Sequence, residues 1–336
     1  MKKVLRITLL ALVALSLMVA GAITLTVGWR PFIGPKARKL TNRRFESTPV
    51  RLERGARLVH TTGCIYCHSP HDYKNPGRLA VPGQELSGQQ LPFGGLPGTI
   101  SAPNLTPDRE TGAGNWTDDQ LARAIREGIG HDGHTLFPMM PYPNLRHMSD
   151  EDLASIIVYL RSVPAVRNTP PKTEIIFPVR YLIRNAPQPV SEPVPEPDTL
   201  DKLKWGSYLV ARSGCADCHT PAERGQEIPG MKLAGGFPLI EAGVSVTSAN
   251  ITPDASGISY YDEALFFQAM RTGVVKARQL NPIMPYNEYK YLSDDELKAI
   301  FAYLRSIPAV KHRVDNNLPP TDCKACRGKH GAGDQN

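Results

Sequence analysis

The chain has 336 residues, 41% of them apolar, enough for two ordinary domains that each bury a core. Its 31 prolines and 28 glycines argue against a large sheet and for short helices joined by long ordered loops, and a formal charge of +7 favours anionic partners or an anionic membrane face. All 6 cysteines fall in three Cys-x-x-Cys pairs, a spacing that means disulfides in an oxidising compartment and zinc or thiol redox chemistry in a reducing one.

At the N-terminus Lys2, Lys3 and Arg6 lie in a short tail, residues 1–6, expected to be cytoplasmic. Residues 7–29 carry no charge, and a helix needs about 20 residues to cross the hydrocarbon core. A cleaved signal peptide has a shorter apolar stretch, about 7–15 residues, so the length favours a retained transmembrane anchor. Ala20-Gly21-Ala22 keeps a signal peptide open as the alternative. Residues 30–49 are basic (Lys36, Arg38, Lys39, Arg43, Arg44) and are expected to be a solvated juxtamembrane segment near lipid headgroups. Because these charges follow the span, the positive-inside rule does not by itself orient it.

The rest of the chain matches itself. RGARLVHTTGCIYCH pairs with WGSYLVARSGCADCH, SAPNLTPD with TSANITPD, FPMMPY with NPIMPY, and MSDEDLASIIVYLRSVPAV with LSDDELKAIFAYLRSIPAV. This is a duplicated domain, residues 50–166 and 201–312, with a Pro-rich linker at 167–200. In the linker Ile175-Ile176-Phe177 and Tyr181-Leu182-Ile183 are expected to pack back onto a domain. Each copy begins with a helix bearing Gly55 or Gly206, small enough for a close helix crossing, and then a Cys-x-x-Cys-His. A loop follows, then a helix capped in copy one by Thr117 and Gln120. The last helix starts at Ser149–Asp152 or Ser293–Glu296 and carries an apolar stripe, Leu153, Ile156, Ile157, Leu160 or Leu297, Ile300, Phe301, Leu304. Pro164 and Pro308 end it. The fold is expected to be mostly α.

Cys64, Cys67 and His68, and again Cys215, Cys218 and His219, form the attachment signature of c-type haem. Two thiols on one helical turn can each form a thioether with a haem vinyl group, and the next imidazole then lies under the iron. A thioredoxin-like site would need a βαβ setting, and zinc would find only three nearby ligands in each copy. The sixth iron ligand is expected from Met140 and Met284, at matched positions in the Met-Pro-Tyr of each copy, the alternative being a methionine that fills a core gap. Met139 and Met148 have no partner in copy two and rank below them. With both axial positions filled, no open position remains for a substrate. Haem propionates would offset part of the positive charge, and c-type haem is attached outside the cytoplasm, which puts the residues after the anchor on the periplasmic side.

The stretch APNLTPDRETGAGNWTDDQLARAIREGI, followed by HDGHTLFPMMPYPN, resembles the haem domains of membrane-bound multihaem cytochrome c subunits that accompany periplasmic alcohol, gluconate and aldehyde dehydrogenases. Both copies carry the pattern, from about Arg51 to Val310. The resemblance implies two tandem class I cytochrome c domains after a transmembrane helix, two covalently bound haem c groups, and iron ligation by His68 with Met140 and by His219 with Met284. It also implies that Asn104 and Asn250, in the Asn-x-Thr-Pro-Asp loops, lie against the haem edge, the other reading being ordinary turn chemistry. Many such subunits carry three haems; this chain offers two clear sites.

The expected role is electron transfer, not catalysis: a dihaem cytochrome of the inner membrane, taking electrons from a periplasmic dehydrogenase or another donor and passing them to the quinone pool or a terminal oxidase. A haem enzyme, such as a dihaem peroxidase or a sulfur-compound dehydrogenase, is the alternative. No nucleic-acid partner is expected. His131 and His134 have no counterpart in copy two and are expected in a solvent-facing loop, and no role is assigned to His60 or His71. The third pair, Cys323 and Cys326, has Arg327 where histidine would stand, and a guanidinium has no lone pair for iron. With His330 it reaches only three metal ligands, so a disulfide in a flexible tail, residues 313–336, is expected, with free or metal-bound thiols as alternatives.

Overall fold

The computed structural model describes every residue except Pro76 and Arg224. Helix α1, Lys2–Thr26, has a mean hydropathy of 2.4 over its best window, none of it buried against the rest of the protein. Its 25 residues span about 37 Å, more than the hydrocarbon core. The helix takes in the basic tail and stops short of the apolar run's end, because Gly28 adopts φ +96°. Helix α2, Arg30–Ile33, follows.

The chain after α2 is not a free juxtamembrane segment. Arg38 pairs with Asp119 at 2.7 Å and Glu127 at 2.6 Å, both buried, and the Thr41 and Phe45 amides donate to Asp119 and Asp118. Carboxylates on the first domain strap this stretch down.

The first domain consists of α3 (Pro49–Thr61), α4 (Cys64–His68), α5 (Asp118–Glu127), α6 (Tyr142–Leu145) and α7 (Asp150–Ser162). Its core joins Leu58 and Val59 of α3, Leu121 and Ile125 of α5, and the expected stripe of α7. In the linker, Ile175 packs on Leu91 and Ile100 of this domain. Helix α8, Val179–Leu182, instead lies against α2, where Arg184 donates to the Pro31 carbonyl at 3.1 Å. The second domain repeats the plan with α9 (Lys202–Arg212), α10 (Cys215–His219), α11 (Glu263–Thr272), α12 (Tyr286–Tyr289) and α13 (Asp294–Ser306). All sheets among the described residues are two-stranded.

Each core depends on one glycine. A Cβ on Gly55 would stand 2.2 Å from the Ser155 carbonyl oxygen, and one on Gly206 would stand 2.0 Å from that of Ala299. Hence α3 crosses α7, and α9 crosses α13, at backbone contact.

Helices α5 and α13 begin with reciprocal capping boxes, Thr117 with Gln120 and Ser293 with Glu296. Helix α7 does not. Ser149 accepts from the Asp152 amide, but the Asp152 carboxylate turns to Arg54, Tyr208 and Arg212. Those last two belong to the second domain, so the expected cap residue is an interdomain anchor. The domains also meet where Gly94 and Ala242 donate backbone bonds to Ile240 and Pro92, and where the Tyr66 hydroxyl donates to Glu241 at 2.5 Å.

The C-terminal tail, expected to be flexible, is folded. Pro320–Asp322 and Lys329–Gly331 form an antiparallel hairpin. Cys323 and Cys326 pack with Ile228, Met231 and Ala234, and Asn316 exchanges two 2.8 Å bonds with the Thr247 backbone.

Candidate haem sites

Gly63 and Gly214, at φ +78° and +69°, turn the chain sharply between α3 and α4 and between α9 and α10. This sets each Cys-x-x-Cys-His on a fresh helical turn. His68 directs Nδ1 to the Pro103 carbonyl at 2.8 Å, and His219 directs Nδ1 to that of Ala249 at 2.7 Å. A carbonyl only accepts, so Nδ1 carries the proton and Nε2 keeps its lone pair for a metal. Burial pulls His68 down to about 4, despite its bond to Pro103, and lowers His219 for the same reason, so both rings are neutral. Burial also pushes the thiols of Cys67, Cys215 and Cys218 up to about 12, the opposite of the depression that marks a thiol redox site.

Met140 and Met284 sit in turns with the same backbone hydrogen bonds. Each donates its amide to the residue three before it, Phe137 or Asn281, and its carbonyl accepts from the tyrosine two after it. Those tyrosines, Tyr142 and Tyr286, are buried with their rings against Gly128 and Gly273, where a Cβ would approach to 2.5 Å. That contact accounts for the tyrosine in Met-Pro-Tyr: it pins the methionine loop to the end of α5 or α11. Met140 packs against the first core and Met284 against the second. Met148 is fully buried in the first core, whereas Met139 belongs to a separate cluster with Leu91 and Ile100.

Cys64, Cys67, His68 and Met140 line one cavity of about 1950 Å³, whose walls include the apolar side chains of Trp116, Leu121, Ile125 and Leu160. Neutral imidazole, paired thiols, thioether and apolar walls suit a haem. The same cavity reaches Asp217, Cys218 and Tyr289 of the second domain, whereas Cys215, His219 and Met284 are not among its lining residues.

Asn104 and Asn250 spend their polar atoms on the chain itself. Each Oδ1 accepts from the amide and hydroxyl of Thr106 or Thr252, and each Nδ2 donates to the carbonyl of Val166 at 2.7 Å or Val310 at 2.8 Å. They tie the Asn-x-Thr loop to the chain leaving the last helix; Asn104 also lines the cavity. His60, given no role from sequence, meets Glu288 of the second domain at 2.5 Å. His134 pairs with Asp132, and His131 stacks on Trp116. Cys323 and Cys326, expected to pair with each other in a flexible tail, lie buried in the folded hairpin. Sequence reasoning missed His312, which lies buried beside them.

A family model described as Cytochrome c matches residues 52–164 and 204–308. The chain belongs to the cytochrome c family. It is 31% identical to the fructose dehydrogenase cytochrome subunit of Gluconobacter japonicus, over 77% of this chain and 53% of that protein. It is 26% identical to the cytochrome c subunit of the quinone-type alcohol dehydrogenase of Gluconobacter oxydans, over 84% of this chain and 60% of the relative. A diheme cytochrome c-type protein of Cereibacter sphaeroides is 28% identical over 77% of this chain and 86% of its own length. The chain thus spans a little over half the length of the two dehydrogenase subunits. Two cytochrome c domains, each with its own attachment motif, make this a dihaem cytochrome with two covalently bound haem c groups.

Proposed function

We propose that the chain relays single electrons from a dehydrogenase to an acceptor of the respiratory chain, the quinone pool or a terminal oxidase. Cys64 and Cys67 hold one haem and Cys215 and Cys218 the other. His68 with Met140, and His219 with Met284, would ligate the two irons. The haem supplies one-electron chemistry; the protein fixes the ligands and excludes water. Pro103 and Ala249 hold each imidazole in the metal-binding tautomer, and a methionine thioether as second ligand would favour ferrous iron and a raised potential.

The observation that carries this reading is the repetition of one ligand geometry in both domains: His68 and His219 each direct Nδ1 to a carbonyl, and Met140 and Met284 sit in turns with the same hydrogen bonds. The matched Met-Pro-Tyr turns support a methionine ligand in both domains, which favours electron transfer over peroxidase-type chemistry. Dehydrogenase cytochrome subunits among the relatives support a dehydrogenase as donor. Helix α1 supports an inner-membrane anchor, with the haem domains on the periplasmic side where c-type haem is attached.

The test is stopped-flow reduction of the purified protein by a quinone-dependent sugar or alcohol dehydrogenase and its substrate. Both haems should reduce and then be reoxidised by added quinone. Failure to accept electrons from any such dehydrogenase, together with peroxide turnover, would point to the haem-enzyme class.

A further inference from the structure

His312, Cys323, Cys326 and His330 each turn one ligand atom inward, and the four atoms lie within 4.8 Å of one another. All four residues are buried, at 0%, 4%, 4% and 2% exposure. His312 Nε2 stands 3.1 Å from His330 Nε2 and 3.4 Å from Cys323 Sγ. A tetrahedral ion with zinc's bond lengths to nitrogen and sulfur has edges of about 3.3 Å for N···N and about 3.6 Å for N···S.

The histidines are committed in the same way as the haem-site histidines. His312 Nδ1 donates to the Ala234 carbonyl at 2.8 Å, and His330 Nδ1 donates to that of Gly331 at 2.9 Å. With each Nδ1 spent on a carbonyl, the two Nε2 atoms confront each other across 3.1 Å in a buried site. A cation between them removes that conflict; a Cys323–Cys326 disulfide would leave it in place. The Cys326 amide also donates to Cys323 Sγ at 3.5 Å, which fixes that sulfur in the cluster.

The duplication indicates how the site arose. In copy one the position of His312 is held by Asn168, whose Nδ2 donates to the carbonyls of Ser87 and Gly88, both at 3.0 Å. In copy two His312 makes the equivalent tie to Ala234 and has a second ring nitrogen to spare. Gly236 leaves the room: a Cβ there would stand 2.6 Å from His312 and 3.3 Å from Cys326. The hairpin between Pro320–Asp322 and Lys329–Gly331 then brings a Cys-x-x-Cys and a histidine four residues on.

We propose that His312, Cys323, Cys326 and His330 form a closed, structural zinc site that clamps the C-terminal hairpin onto the second domain. Binding displaces the two thiol protons, and two thiolates with two neutral imidazoles leave the buried centre uncharged. With four protein ligands it has no position for a substrate. The clamp braces the neighbourhood of the second haem, since Gly235, next to Ala234, donates to the His219 carbonyl at 2.7 Å.

The test is elemental analysis of the full chain purified with its haems, followed by zinc-edge X-ray absorption. One zinc per two irons is expected, with two sulfur neighbours at about 2.3 Å and two nitrogens at about 2.0–2.1 Å. Cys323→Ser and His330→Asn should each lose the zinc while keeping both haems, and the second haem's potential should move while the first one's stays. Zinc acetate added to chelator-treated protein should restore one zinc per chain to the wild type and none to the variants. A zinc-free protein that takes up none, a tail peptide two hydrogens light, or copper or iron at the site would each overturn the proposal. Haem content in the same samples tests the electron-transfer reading separately.

Discussion

Arg212 of the second domain places Nη1 3.1 Å from Asp152 Oδ2 of the first, with both side chains buried. Its Nη2 lies 3.2 Å from Glu296, so one guanidinium bridges the starting turns of the last helices of both copies. The repeated domains are held by a buried ionic network as well as by their linker.

Arg212→Ala should therefore cost about 1–3 kcal/mol, because it removes the buried cation common to both carboxylates while Arg54 still pairs with Asp152 and Arg57 with Glu296. Denaturant unfolding followed at the haem bands should split into two transitions, with both haems still attached. A single transition of unchanged midpoint would show that the network contributes nothing to docking.

The same network sets an acid limit. Burial works against ionisation of Asp152, but Arg212 and Arg54 outweigh it and hold the carboxyl below its ordinary value. A depressed folded-state pKa gives stability that is present above the unfolded value, about 3.9, and is lost as pH falls through the folded one. Docking should be constant from neutral pH to about 4 and weaken below that, as read by small-angle scattering. Loosening that began near pH 6 would implicate a histidine instead.

Gly55→Ala and Gly206→Ala each push a methyl group into a carbonyl oxygen of the facing helix. Each should cost about 1–3 kcal/mol, and only in its own domain. Thermal melts resolved by domain test this; a neutral Gly206→Ala would mean that α9 and α13 are free to separate.

Met140→Ala and Met284→Ala should each lower the potential of one haem and open its iron to carbon monoxide, without loss of haem. The tyrosine contacts at Gly128 and Gly273 keep the loops in place in both variants. Carbon monoxide binding that is unchanged in both would reassign the sixth ligands.

The repeat, the two haem motifs and the inward stripes of α7 and α13 were legible because each is local: a spacing, a period or a cap. What was missed depends on residues far apart in the chain. Asp152 looks like half of a capping box until Tyr208 and Arg212 arrive from the other domain. Arg38 looks like a lipid-facing charge until Asp119 and Glu127 take it. The tail looked one ligand short of a metal site because His312 precedes Cys323 by a whole turn-rich segment. The signal that finds it is the alignment of His312 with Asn168, where an ordinary amide tie in copy one becomes an imidazole in copy two.

The most direct test of the account is mass spectrometry of proteolytic peptides from the purified, haem-loaded protein. One haem should be covalently attached to the peptide carrying Cys64 and Cys67 and one to that carrying Cys215 and Cys218, with none on Cys323 and Cys326. A haem on the tail, or either Cys-x-x-Cys-His peptide without one, would contradict it.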